Sequence, residues 1–258
     1  MRVLITNDDG VYAPGILAVA KKFSEYGEVM VVAPEGEKSA TGHAITMHKP
    51  LRVKRMTELE EDINGPVYSI NGTPSDCVKL GVEALIEKEP DLVISGINRG
   101  ANLGTDVLYS GTVSGAMEGT ILGYPSLAVS IVDFEARDFT VASNYATYIG
   151  KQLLEGLIPG ERLKKTLLNI NVPSLPENKI TGIYVTHLGV RNYKNTFEKR
   201  IDPRGREYFW MAGEIIDDTT QNDADVTCIS NNGVSVTPIS YDMTDYKVLD
   251  ILKEKNFQ

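Results

Sequence analysis

Only two cysteines, Cys77 and Cys228, occur in the 258-residue chain, so no disulfide framework holds it together and a reducing compartment is expected. Histidine is nearly as scarce, and His43, His48 and His187 lack zinc-ligand spacing. Basic charge is in deficit: 26 Lys and Arg against 35 Asp and Glu leave a net charge of -9, which opposes a general grip on the phosphate backbone of a nucleic-acid polymer. No apolar run is long enough to span a bilayer, and Val3-Leu4-Ile5 is too short for the core of an export signal. A cytoplasmic protein with no membrane partner is the expectation. Internal repeats and low-complexity segments are missing too, and a composition of 42% hydrophobic and 24% charged residues excludes a disordered or fibrous chain.

What is present alternates between two textures. Val3 to Ile5, Val29 to Val32, Leu92 to Ile94 and Ser126 to Ile131 are short apolar runs of the kind that make buried parallel strands. Between them lie helical patterns. Ile16, Leu17, Val19, Ala20 and Phe23 follow Pro14 and stop before Gly27. Thr73-Pro74-Ser75-Asp76 reads as a capped helix start carrying Cys77, Leu80, Gly81, Ala84 and Leu85 on one face. Thr112 to Ile121 and Phe139 to Leu154 are further helices. The pattern predicts an α/β fold, a doubly wound sheet. After Leu167 extended segments take over, including Lys179 to Thr186 and Glu207 to Met211. The basic run 199–206 reads as the tip of a projecting hairpin, and Leu249, Ile251 and Leu252 as a last short helix. One domain over 1–258 is expected, with a core at 1–190, a hairpin at 191–214 and a C-terminal segment at 215–258.

Ligands of open parallel sheets bind beyond the carboxyl ends of the strands, which directs attention to three polar stretches: Asn7-Asp8-Asp9-Gly10, Lys38 to His43, and Gly96 to Gly104. Adjacent carboxylates at Asp8 and Asp9 repel each other, and a divalent cation relieves that repulsion. Asn98 adds a side-chain carbonyl and Ser39 a hydroxyl, an all-oxygen set that suits Mg²⁺, Mn²⁺ or Ca²⁺. The acid pair alone fits equally a strand end that caps the following helix. Ser110-Gly111-Thr112 opens a helix, where exposed amides and hydroxyls favour an anion such as phosphate, although plain N-capping by Ser110 is the simpler reading of that residue alone. No glycine spacing here matches a dinucleotide fingerprint or a P-loop. Together these features point to hydrolysis of a phosphate ester by metal-activated water.

Four ordered stretches, 5–10, 39–43, 95–104 and 106–113, resemble the SurE family of stationary-phase survival nucleotidases. The resemblance implies that the doubly wound sheet is Rossmann-like, and it implies a metal-dependent acid phosphatase acting on nucleoside 5′-monophosphates, with 3′-monophosphates and short polyphosphate as further substrates. It implies metal ligation by Asp8, Asp9, Ser39 and Asn98, and a phosphate pocket of Asn98, Asn102, Ser110, Gly111 and Thr112. Asp8 and Asp9 would be the catalytic residues, and one Mg²⁺ or Mn²⁺ the cofactor. A homodimer or homotetramer, exchanging the hairpin and terminal helix between subunits, is also implied. Two departures stand out: Ser114-Gly115 replaces an expected pair of alanines at the helix start, and the Ser39 loop matches one subtype of the family, not its Arg-Ser-Gly form.

Two other classes compete. A Mg²⁺-binding receiver module also starts with a strand ending in paired acids, but it needs an acceptor aspartate on a central strand, and Asp62 lies in the polar run Glu58 to Asp62. A non-catalytic nucleotide-binding protein would use the same cradle without turnover.

Overall fold

The computed structural model describes residues 1–255. In chain order its elements are β1 (Arg2–Thr6), α1 (Pro14–Ser24), β2 (Glu28–Pro34), β3 (Val53–Arg55), β4 (Val67–Ile70), α2 (Pro74–Leu80), β5 (Leu92–Arg99), α3 (Gly111–Ile121), β6 (Ser126–Val132), α4 (Thr140–Gln152), β7 (Thr166–Pro173), β8 (Ile183–Val185), β9 (Arg191–Lys194), β10 (Phe197–Ile201), β11 (Glu207–Met211), β12 (Glu214–Asp217), α5 (Asp225–Ser230), β13 (Val234–Ser240) and α6 (Tyr246–Glu254). Nine strands form one sheet in the order β3-β4-β2-β1-β5-β6-β7-β13-β8. The block from β4 to β7 is parallel, β3 runs antiparallel to β4 and β13 antiparallel to β7, and the edge strand β8 lies parallel to β13.

Strand periodicity sorts the core into two layers. Val3 and Ile5 face the side covered by α1 and α4, where Ile16, Val19, Phe23 and Ala146 complete the main cluster. Leu4 faces the other side, with Val32, Cys77, Val78 and Val93 under α2. Pro14 opens α1 as its first residue, and Thr73 and Asp76 form a reciprocal capping box on α2. The helix expected to run on to Leu85 changes character at Gly81, where a wider turn closes with Ile86 N–H donating to the Gly81 carbonyl. The chain runs outward from β1 to β2 and then returns to β5 on the other flank of β1, so the topological switch lies between β1 and β5. Asp8 and Asp9 follow the first of these strands, and Asn98 ends the second.

In the later chain, Thr166–Pro173 is a buried central strand held between β6 and β13, and one expectation is corrected. The strand expected over 179–186 shrinks to Ile183–Val185, because Glu177–Lys179 closes a short 3₁₀ turn. Beyond it the chain folds into a two-step hairpin in which β9 pairs with β12 and β10 with β11 around the turn Asp202–Arg206. Its root is fastened to the core: the buried Arg191 guanidinium bridges Asp217 and Asp106, and Asp225 accepts the amides of Gly104 and Gly189. The last three residues of the expected 215–258 segment lie outside the described residues.

Candidate active site

At the end of β1 a tight turn turns two carboxylates toward the switch point. The Asn7 side chain closes it, donating to the Gly10 carbonyl at 3.0 Å and accepting the Gly10 amide at 3.2 Å. Gly10, at φ 101, lies in the left-handed region and packs on Gly36, where a Cβ would come within 3.1 Å. Asp8 is buried. Thr112 donates its hydroxyl to Asp8 Oδ1 at 2.6 Å, and the first turn of α3 supplies backbone N–H character beside it. Burial nevertheless dominates, and with the Asp9 charge adjacent the Asp8 carboxyl is pushed up to about 6. Asp9 is half-buried and also raised by burial, with Arg99 opposing and Glu37 adding to the shift.

A break in the β5–β6 register between Ser95 and Asn98 bulges β5 before Asn98 and Arg99 rejoin the ladder opposite Ser130 and Ile131. Asn98 donates its side-chain amide to the Gly100 carbonyl at 2.9 Å, which leaves its carbonyl oxygen for a ligand. Asn102, expected in the phosphate pocket, lines the cleft but is largely committed to the scaffold. Its backbone N–H donates to Asn171 Oδ1, its side-chain amide donates to Ser130 Oγ, and its carbonyl accepts from Asn169 and Asn171. The residue pins the 100–104 loop to β6 and β7. Two asparagines on one face of an otherwise apolar strand were the signal for this anchor, which sequence reading missed.

Ser110 caps α3 by accepting the Val113 amide at 3.0 Å, the simpler of its two expected roles, and it also borders the cleft. Gly111 and Thr112 stand behind Asp8. A Cβ at Gly111 would meet the Asp8 side chain at 2.8 Å, so glycine here permits the close approach of carboxylate and helix. The Ser114-Gly115 departure does not loosen the helix: Ser114 Oγ donates back to the Ser110 carbonyl, and Gly115 leaves room for Ser95 Oγ, 2.8 Å from where a Cβ would stand.

Ser39 belongs to a long loop held at several points. Lys38 N–H donates to the Asp8 carbonyl at 2.7 Å and Gly42 N–H to the Tyr109 carbonyl at 3.1 Å. Thr46 donates its amide and hydroxyl to Asp76, and His43 Nε2 lies 2.8 Å from the buried carboxylate of Glu118 on α3. The His43–Glu118 contact was not anticipated. Ser39 itself donates to Glu37 Oε1 at 2.6 Å, while bordering the same cleft as Asp8, Asp9 and Asn98.

These donors fit a hard divalent cation: two carboxylates, an amide carbonyl and a hydroxyl, with Asp8 held ready but electrostatically uncompensated. No cluster of three or more His, Cys, Asp or Glu able to hold a metal occurs among the described residues, which leaves this two-carboxylate, oxygen-only arrangement. A second depression at the amino-terminal ends of the strands is walled by Arg2, Glu28, Asn64 and Lys88. It lies away from the switch point and has no convergent pair of acids. No helix among the described residues is long and apolar enough to cross a membrane.

The fold and cleft define a doubly wound α/β protein with an acidic, oxygen-rich cleft at its topological switch. Residues 3–195 match the family described as survival protein SurE, and the chain belongs to that family. It is similar to proteins named 5′-nucleotidase SurE from Natranaerobius thermophilus, 55% identical with 100% of this chain and 99% of the relative aligned, and Pelotomaculum thermopropionicum, 53% identical with 98% and 95% aligned. The crystal structure of the SurE protein from Aquifex aeolicus superposes with a TM-score of 0.85 at 41% identity, covering 99% of both chains.

Proposed function

We propose that the protein is a metal-dependent 5′-nucleotidase that releases phosphate from nucleoside 5′-monophosphates, with 3′-monophosphates and short polyphosphate as further substrates. The observation that carries this reading is Asp8: a buried carboxylate beside a second acid, seated at a helix start and open to a cleft bordered by Ser39, Asn98 and Asn102. Relatives named 5′-nucleotidase over nearly the whole chain support it.

Asp8, Asp9, Ser39 and Asn98 would hold one Mg²⁺ or Mn²⁺. When bound, that ion supplies a Lewis acid for the phosphate and lowers the pKa of water. Thr112 orients Asp8 through its hydroxyl, and the Asn98 amide, tied to Gly100, aims its carbonyl. Ser110, Gly111 and Thr112 open α3 behind Asp8, and the start of that helix would favour negative charge at the phosphate end. Asp9, less buried than Asp8, is the candidate to accept a proton from the attacking water. Asn102 acts chiefly by holding the loop. The partners are nucleoside monophosphates and further copies of this chain, exchanged through the 191–214 hairpin and the 215–258 segment, in a cytoplasmic setting. A receiver role is not favoured, since Asp62 is exposed and ion-paired to Lys21 outside the cleft.

The test is phosphate release from a panel of 5′ and 3′ monophosphates with chelator, then with Mg²⁺ or Mn²⁺. Metal-dependent release that falls by about a hundredfold or more in Asp9→Asn is expected. Turnover by that variant close to the parent's at saturating metal would sink the assignment.

A further inference from the structure

We propose that Phe134 is the platform on which the nucleobase rests. This rests on the phosphomonoesterase reading above.

Phe134 follows β6 in a loop that no element covers, and it is 71% exposed, a large apolar surface to leave in water. The ring is nevertheless held. It lies directly on Gly100, where a Cβ would come within 2.3 Å of Phe134 Cε1, and Gly100 has φ 102, so neither sterics nor backbone strain favours any other residue beneath it. Its neighbour Asp133 fixes the loop from the side, accepting Glu135 N–H at 2.9 Å and Ser174 Oγ at 3.0 Å. The free part of the ring borders the cleft that holds Asp8, Asp9 and Asn98.

The charge of this cleft favours the assignment. Asp8, Asp9, Glu37 and Glu135 border it, with Asp106 already paired to Arg191 and Arg99 the one basic residue on its rim among the described residues, so the field does little to retain a phosphate ester until a cation is present. A pre-positioned aromatic ring supplies affinity of another kind. Every base has a π-face and stacks, whereas a phenyl ring has neither donor nor acceptor with which to discriminate base edges. The other exposed ring at the cleft, Tyr109, immediately precedes Ser110, the residue that opens α3 at the proposed phosphate end.

The experiment measures kcat and KM, at saturating Mn²⁺, for the four common nucleoside 5′-monophosphates and for ribose 5-phosphate, which lacks a base. Phe134→Ala is expected to raise KM for all four nucleotides by roughly tenfold, the loss of one base–aromatic contact, with kcat held. Both constants for ribose 5-phosphate should stay at the parent values, and Phe134→Trp should restore nucleotide KM. Unchanged nucleotide KM in Phe134→Ala overturns the inference. So does an equal loss on ribose 5-phosphate, which would make the ring a prop for the Asn98–Asn102 loop. A folded parent that releases phosphate from none of the esters defeats the phosphomonoesterase reading itself and the inference with it.

Discussion

At the scale of single residues, Asp8 concentrates the conflict between stability and function. Its carboxyl is pushed up to about 6 by burial, against 3.8 for the ordinary side chain. Between those values the folded state binds more protons than the unfolded one, so stability falls as pH rises through the window, and the full cost is present above it. Asp8→Asn removes the charge and keeps an oxygen for the Thr112 hydroxyl. In urea melts with chelator, the variant should be more stable than the parent near pH 7.5, by up to about 3 kcal/mol, and no different near pH 3.5. Equal stability at both pH values would contradict the burial argument. Added Mn²⁺ should raise the parent's Tm and leave the variant's unchanged. Gly111 yields a second expectation: a methyl 2.8 Å from Asp8 has nowhere to go, so Gly111→Ala should weaken Mn²⁺ binding about tenfold or more, read by titration calorimetry, while the helix persists. The acid pair, Asn98 and Ser110 were legible in the sequence because each follows an apolar run or opens a helix. Gly111's service to Asp8 was not, since it depends on how closely α3 approaches a strand 105 positions earlier in numbering than its own start, Thr6 against Gly111.

At the scale of elements, the site is assembled from loops that the sheet brings together and buried polar side chains hold in place. Glu118 shows how: its carboxylate on α3 meets His43 of the Ser39 loop at 2.8 Å and stands 3.7 Å from Lys79 on α2. Glu118→Ala strips a buried hydrogen-bonding partner from that loop and should cost about 1–3 kcal/mol by denaturant melt, with faster proteolysis between residues 36 and 50. Protection equal to the parent's would show that Asp76 and the Gly42 amide suffice. The helices and strands themselves were readable from periodicity and caps, as α1 and α2 illustrate. The role of Asn169 and Asn171 within the apolar 166–173 strand was not legible, because their reason for being there, the loop at Asn102, lies across the sheet.

At the scale of the whole molecule, the unfinished surfaces lie outside the core. Helix α6 has no buried residue, with Tyr246, Val248, Ile251 and Leu252 all exposed, and Phe209, Trp210 and Met211 on β11 are similarly bare. Apolar faces of this extent call for a partner surface, and a second copy is the proposed one. Ile251→Lys with Leu252→Lys should shift the protein to a smaller species in sedimentation equilibrium, whereas an unchanged mass would remove α6 from the assembly.

The sequence by itself determined the alternation of strand and helix, the placing of polar loops after apolar runs, and the choice of oxygen donors over sulfur or imidazole. These are local matters, set by periodicity, capping and the chemistry of neighbouring side chains. Only the tertiary structure decided that Thr112 binds Asp8, that Glu118 restrains the Ser39 loop, and that Phe134 lies on Gly100 at the cleft. Each of those contacts joins residues far apart along the chain, and their distances are set by how the helices pack on the twisted sheet, which no local pattern encodes.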